Sequence, residues 1–142
     1  MSTPTPQSPA PRPPSTILIV EDETSLRRVL ERVLARAGYR VLGAASAETA
    51  YELLASEPAD AVLLDVQLPA MSGLALYLVI LHRHPALAGR IGIMTGDAEA
   101  EQVRAWLQHN PCTVLKKPFD LKEIVGWARE VLERTDRQTG NG

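Results

Sequence analysis

The chain holds a single cysteine, Cys112, among its 142 residues. One thiol excludes an internal disulfide framework and suits a reducing compartment, so the expected location is the cytoplasm. Basic charge is also in short supply. Fifteen Lys and Arg against seventeen Asp and Glu leave a formal net charge of -2, too little positive charge to neutralise phosphates, and no nucleic-acid partner is expected. No apolar run approaches the roughly 20 residues of a membrane helix. The longest, "LALYLVIL" at 74–81, is far shorter, and the N-terminus lacks the apolar segment of a secretory signal. Neither a membrane span nor an export signal is read.

What is present is the composition of an ordinary globular domain, with 45% apolar and 23% charged residues, in a chain long enough for one core. Residues 1–15, "MSTPTPQSPAPRPPS", carry six prolines and no acidic residue. Such a stretch reads as a disordered, extended tail or linker rather than a docking segment for a proline-recognising module. Residues 136–142, "DRQTGNG", read as a frayed, disordered tail. The folded part is expected over 16–135.

Within it, strand-length apolar runs alternate with amphipathic stretches. "TILIV" (16–20), "YRVLGA" (39–44), "AVLLD" (61–65), "IGIMT" (91–95) and "TVLK" (113–116) are the strands. The first, third and fourth are nearly continuous in apolar character, as strands covered on both faces are. Between them, Leu26, Val29, Leu30, Val33 and Ala37 recur at helical spacing, with Arg27, Arg28, Glu31 and Arg32 expected outward. Ala47, Ala50, Tyr51 and Leu54 make a second stripe behind Ser46, a natural N-cap. Leu74, Tyr77, Leu78 and Leu81 make a third, and Val103, Trp106 and Leu107 a fourth. Asp120 and Glu123 open the last helix in capping-box spacing. Five strands alternating with five helices predict an α/β fold built from right-handed βαβ units around a parallel sheet.

Ligands of such sheets bind beyond the carboxyl ends of the strands. Glu21 and Asp22 follow the first strand there, Asp65 ends the third, Thr95 ends the fourth, and the fifth runs into Lys117. Three crowded carboxylates repel one another unless a proton or cation intervenes. An all-oxygen set suits Mg²⁺. A carboxylate such as Asp65 can carry a phosphoryl group as an acyl phosphate, and phosphoryl transfer asks a protein mainly for positioning and charge neutralisation. Magnesium, Lys117 and the Thr95 hydroxyl would each cover one phosphoryl oxygen.

"IVEDE", "LLDVQLPAMSGL", "IMTGD" and "LKKPF" together resemble, in order and spacing, the signature segments of response-regulator receiver domains of two-component systems. The resemblance implies a flavodoxin-like (βα)5 fold with strand order 2-1-3-4-5. It implies that Asp65 is phosphorylated from a phosphohistidine on a sensor histidine kinase or histidine phosphotransfer protein, in a signalling domain that assists its own aspartyl phosphorylation and dephosphorylation. Asp22 and Asp65 would bind Mg²⁺ directly, the backbone carbonyl of Gln67 would complete the protein ligands, and Glu21 would act largely through water. Lys117 rather than Lys116 matches the family lysine because it precedes Pro118, and that peptide bond is typically cis in the family.

Two departures stand out. Val114 occupies the position, three residues before the lysine, where many receivers place an aromatic ring that reports phosphorylation. The segment from Gly96 to the lysine looks more like receivers attached to hybrid sensor kinases. Two other functions compete. A phosphorylation-independent scaffold is compatible with Val114. A Mg²⁺-dependent phosphohydrolase of the haloacid dehalogenase type would need a second Asp where Gln67 stands.

His82, His84 and His109 share no strand end with the acids and read as surface or helix-end residues. Cys112 reads as a small hydrophobe opening a buried strand. Ser25 and Ser72 read as helix-start residues. Leu76, Val79 and Ile80 lie outside the expected core face of the third helix, with local packing favoured over a dimer or partner face. Trp127 on the last helix is read in the same way, packing favoured over a partner face, on a surface where receivers commonly meet partners. The chain is expected to be a monomer or weak dimer with no output domain after Thr135: a stand-alone receiver, a phosphotransfer shuttle, or a piece of a hybrid kinase.

Overall fold

The computed structural model describes residues 14–140, with side chains considered up to residue 133. Most of the proline-rich stretch and the last two residues lie outside the described residues. Five strands form one parallel sheet in the order β2-β1-β3-β4-β5. They are β1 (Thr16–Val20), β2 (Arg40–Ala44), β3 (Ala61–Asp65), β4 (Ile91–Thr95) and β5 (Thr113–Lys116). Helices α1 (Thr24–Arg36), α2 (Ala47–Ser56), α3 (Gly73–Arg83), α4 (Glu101–His109) and α5 (Leu121–Gly140) alternate with them, and a short 3-10 turn spans Pro85–Leu87. The fold and strand order are those expected. The backbone of α5 continues to Gly140, so the expected boundary at 135 falls inside a helix.

Burial follows from strand position. Every residue of β1, β3 and β4 is buried, whereas the edge strands β2 and β5 are mostly not. Two apolar layers result. On one face Leu18, Val20, Val62, Leu64 and Ile93 meet α2, α3 and α4. On the other, Ile17, Ile19, Leu63 and Met94 meet Leu30 and Leu34 of α1 and Ile124, Trp127 and Ala128 of α5. Each fully buried Ile or Leu contributes about 1.5–3 kcal/mol, so the central strands are the most firmly held part of the molecule.

Two expectations about helix faces are corrected. On α3, Leu76 and Ile80 are buried and Leu78 is 45% exposed. In a helix apolar nearly all round, spacing does not choose which stripe turns inward. On α1, Leu30 and Leu34 carry the core contact and Val29 is exposed. On α5, Trp127 is only 4% exposed, in line with the packing reading. Its ring lies over Gly92 of β4, where a Cβ would come within 2.9 Å of the indole nitrogen. The missing side chain is what admits the ring.

The helix starts behave as read at two sites. Ser46 accepts a hydrogen bond from the Thr49 N–H and Ser72 one from the Leu74 N–H. At α1 the cap position belongs to Glu23, which makes no side-chain cap. Cys112 is half-buried and precedes β5 rather than opening it.

Candidate functional site

The parallel register brings the carboxyl ends of all five strands to one edge. Asp65 is the last residue of β3, paired in register with Met94 of β4. Glu21 directly follows β1, its N–H donating to the Ala44 carbonyl at 3.0 Å. Both acids are nearly sealed, Glu21 at 1% and Asp65 at 5% exposure, while Asp22 is exposed. Lys117 directly follows β5 and is joined to Pro118 by a cis peptide bond.

Its ammonium donates to Asp65 Oδ2 at 2.5 Å and to Glu21 Oε1 at 2.7 Å. Asp65 Oδ1 accepts from the Gln67 N–H at 2.8 Å, and Glu21 Oε2 accepts from the Glu23 N–H at 3.3 Å. One oxygen from each of Glu21, Asp22 and Asp65 lies within 4.8 Å of the others. These acids line a cavity of about 460 Å³ with Glu23, Gln67, Leu68, Pro69 and Lys117.

Electrostatics explain what the cluster wants. Burial pushes the Glu21 carboxyl up to about 7; the Lys117 hydrogen bond opposes this and the charge of Asp65 adds to it. Burial alone pulls the Lys117 ammonium down, but its hydrogen bonds to Asp65 and Glu21 outweigh that and hold it above its ordinary value. Glu21 and Asp65 thus share one ammonium, with the Asp22 carboxylate beside them. An oxygen-only cluster with surplus negative charge fits a hard divalent cation such as Mg²⁺.

Thr95 is placed differently. It is buried at the end of β4, its Oγ1 accepts from the Asp97 N–H at 3.1 Å, and it lines a neighbouring cavity of about 690 Å³ with Gln67, Leu68, Asp97 and Val103. Gln67 and Leu68 border both cavities. The structure therefore assembles Glu21, Asp22, Asp65, Gln67 and Lys117 around one space and sets Thr95 beside it.

Two local features support this edge. Gly73 opens α3 directly behind Asp65, and a Cβ there would lie 1.9 Å from the Asp65 carbonyl oxygen. Glycine is required by close backbone approach. Arg27, expected outward, instead turns toward the site: its guanidinium donates to the Glu21 carbonyl at 2.8 Å and lies 3.6 Å from Glu31. Its position one turn into α1, six residues after Glu21, was the only sequence signal for it. Lys116 is exposed, as expected, and His82 and His109 are exposed away from the acids.

The model of the response regulator receiver domain family matches residues 17–129, and the chain belongs to that family. It is a signalling domain of two-component systems. The chain is 34% identical over 122 residues to the DNA-binding transcriptional regulator NtrC of Escherichia coli (strain K12), covering 86% of this chain and 26% of that protein. It is 35% identical over 130 residues to the response regulator MprA of Mycolicibacterium vanbaalenii, covering 91% of this chain and 55% of that protein. It thus spans about a quarter to about half the length of these curated relatives.

Among solved structures, the signal receiver domain of an HD domain-containing protein from Pseudomonas fluorescens Pf-5 matches with a TM-score of 0.78 and 27% identity. That match covers 87% of this chain and 98% of the other. The non-phosphorylated HemR receiver domain from Leptospira biflexa matches with a TM-score of 0.73 and 30% identity, over 82% and 93% of the two chains.

Proposed function

We propose that Asp65 is the phosphoacceptor of this receiver, taking a phosphoryl group from a phosphohistidine on a sensor histidine kinase or histidine phosphotransfer protein. The observation that carries this is a nearly buried carboxylate at a strand tip, open to a cavity and paired with an ammonium at 2.5 Å. In the transfer, an Asp65 carboxylate oxygen bonds to phosphorus as the P–N bond to the donor histidine breaks. The imidazole leaves with that electron pair and takes up a proton. Glu21, Asp22, Asp65 and the Gln67 carbonyl would hold a Mg²⁺ ion, which would supply positive charge to the site.

The protein's own groups do the positioning. The Gln67 N–H fixes one Asp65 oxygen, leaving the carboxylate held in a single orientation. Lys117 transfers its hydrogen bond from Asp65 to a phosphoryl oxygen. The Thr95 hydroxyl covers another by turning from its own cavity toward the acidic one. That movement shifts a pre-existing equilibrium of the loops after β4 and β5 and switches partner binding. The same site assists the later loss of the phosphoryl group to water, with Gln67 and Asp97, two positions beyond Asp65 and Thr95, tuning its lifetime.

Val114 is half-buried and packed against the core beside α4, so any readout runs through another group. This keeps a phosphorylation-independent scaffold as the second reading. The phosphohydrolase reading lacks its general acid at Gln67. With a net charge of -2, this part of the protein is proposed to touch no nucleic acid. Among the described residues no helix is long and apolar enough to cross a membrane; a cytoplasmic site of action and a monomer or weak dimer as the working form are part of the proposal.

The test is incubation with acetyl phosphate and Mg²⁺ followed by intact mass. One phosphoryl adduct is expected on the wild type and none on Asp65→Asn. A wild type that stays unmodified, under conditions that label a control receiver, would overturn the reading. Equal partner affinity for phosphorylated wild type, unphosphorylated wild type and Asp65→Asn would favour the scaffold.

A further inference from the structure

Asp22 is the least supported of the three acids. It is exposed, and among the described residues neither its carboxylate nor its backbone makes a hydrogen bond. One of its oxygens nevertheless lies within 4.8 Å of oxygens of Glu21 and Asp65. The backbone that carries it must therefore be fixed from elsewhere. The helix start does not do this, because Glu23, at the N-cap of α1, makes no side-chain cap.

Arg27 holds the loop on both sides of Asp22. Its guanidinium donates to the Glu21 carbonyl at 2.8 Å, which fixes the peptide unit before Asp22. Its backbone N–H donates to the Glu23 carbonyl at 2.9 Å, which anchors the residue after. The remaining bond across the loop, from the Glu23 N–H to Glu21 Oε2, is longer at 3.3 Å. Glu21 is only 1% exposed, so water is not at hand to replace the guanidinium at its carbonyl. A hydrogen bond from a charged donor is also roughly twice as strong as a neutral one.

The guanidinium is itself oriented. Glu31, one turn further along α1, lies 3.6 Å from Arg27 Nε, while Nη1 serves the carbonyl. Glu31 in turn sits over Gly43 of β2, where a Cβ would collide with Glu31 Oε1 and come within 3.4 Å of Arg27 Cδ. Gly43 pairs in register with Ile19 of β1, two residues before Glu21. A side chain missing from the neighbouring strand is what makes room for the Arg27–Glu31 pair.

We propose that Arg27 is a positioning residue for the acidic edge: it holds the Glu21 carbonyl so that the Asp22 carboxylate stays aimed at a divalent cation shared with Glu21 and Asp65. Glu31 orients it, and Gly43 leaves space for both. This inference rests on the reading of these acids as the Mg²⁺ site. Charge alone would act the other way. A cation beside the site repels Mg²⁺, so losing it would tighten binding. Positioning predicts weaker binding, and the sign of the change separates the two.

The experiment titrates Mg²⁺ alone into the unphosphorylated full chain and follows backbone amide shifts by NMR. Arg27→Ala should raise the Mg²⁺ Kd about tenfold, the low end for a residue that supports a metal ligand indirectly. Before any metal is added, the Asp22 and Glu23 amide signals of this variant should broaden while that of Gln67 keeps its position, a pattern that a general loss of stability would not give. Gly43→Ala, on another strand and supplying no metal ligand, should raise Kd about threefold by displacing Glu31. Arg28→Ala removes an exposed charge from the next residue and should leave Kd within about twofold of wild type. An unchanged or tighter Kd in Arg27→Ala, with wild type binding Mg²⁺, would overturn this proposal and leave the acidic site standing. A wild type that binds no Mg²⁺ would overturn both.

Discussion

Lys117 Nζ stands 2.5 Å from Asp65 Oδ2, although 52 residues separate the two in sequence. The lysine follows β5 and the aspartate ends β3, with β4 between them in the sheet. One ammonium therefore reaches across a strand to neutralise Asp65 and, at 2.7 Å, Glu21 beyond it. Thr95, at the end of the strand being crossed, sits close by without joining the same cavity.

Replacing this cation exposes how interdependent the acids are. In magnesium-free buffer Lys117→Met should cost about 3 kcal/mol, the low end for breaking a buried pair, because the lysine side chain keeps 24% exposure. Mg²⁺ should raise the urea midpoint of the variant more than that of the wild type, since the ion replaces the lost positive charge. Identical midpoints for both proteins, insensitive to Mg²⁺, would show that the carboxylates do not share their neutralisation.

Gly73 and Gly126 should respond in opposite directions to alanine. At Gly73 the new Cβ meets the Asp65 carbonyl, so Gly73→Ala should destabilise by about 1–3 kcal/mol and slow acetyl phosphate labelling by moving the tip of β3. At Gly126, an exposed position within α5, nothing lies within 4 Å. Gly126→Ala should stabilise by about 0.5–1 kcal/mol and leave labelling unchanged. Chemical denaturation and intact mass check both.

The α3 faces can be tested with one pair of substitutions. Ile80→Ala, at a position with 1% exposure, should cost about 2–5 kcal/mol. Leu78→Glu, at 45% exposure, should stay within about 0.5 kcal/mol of wild type. A large loss at Leu78 would mean that this face is covered in solution.

Cys112 carries the pH prediction. Burial pushes its thiol from 9.0 up to about 11, so the unfolded chain ionises first. Any contribution of this group is intact below about pH 9, and stability declines as pH climbs from 9 toward 11. At pH 8 the folded protein should react with a disulfide reagent about 100-fold more slowly than an unshifted thiol, in line with its lower thiolate fraction. Urea should abolish the difference. Rapid reaction of the folded protein at pH 8 would contradict the burial.

Much of this was readable from residue order alone, for physical reasons. A run such as "AVLLD" is apolar at every position because a central parallel strand is covered on both faces. A parallel sheet then delivers every strand's last residue to one edge. Glu21, Asp22, Asp65, Thr95 and Lys117 could thus be grouped before any distance was known. Other features needed contacts between segments. Periodicity gives the spacing of an apolar stripe but not its rotation when nearly every residue is apolar, so Ile80 and Leu78 were exchanged. Trp127 turns inward because Gly92, on a distant strand, leaves room for a ring. Arg27 bends to the Glu21 carbonyl because the end of β1 lies within reach of α1. The division of Lys117 and Thr95 between two cavities likewise depends on how far each side chain reaches across β4, a length set by packing and invisible in spacing.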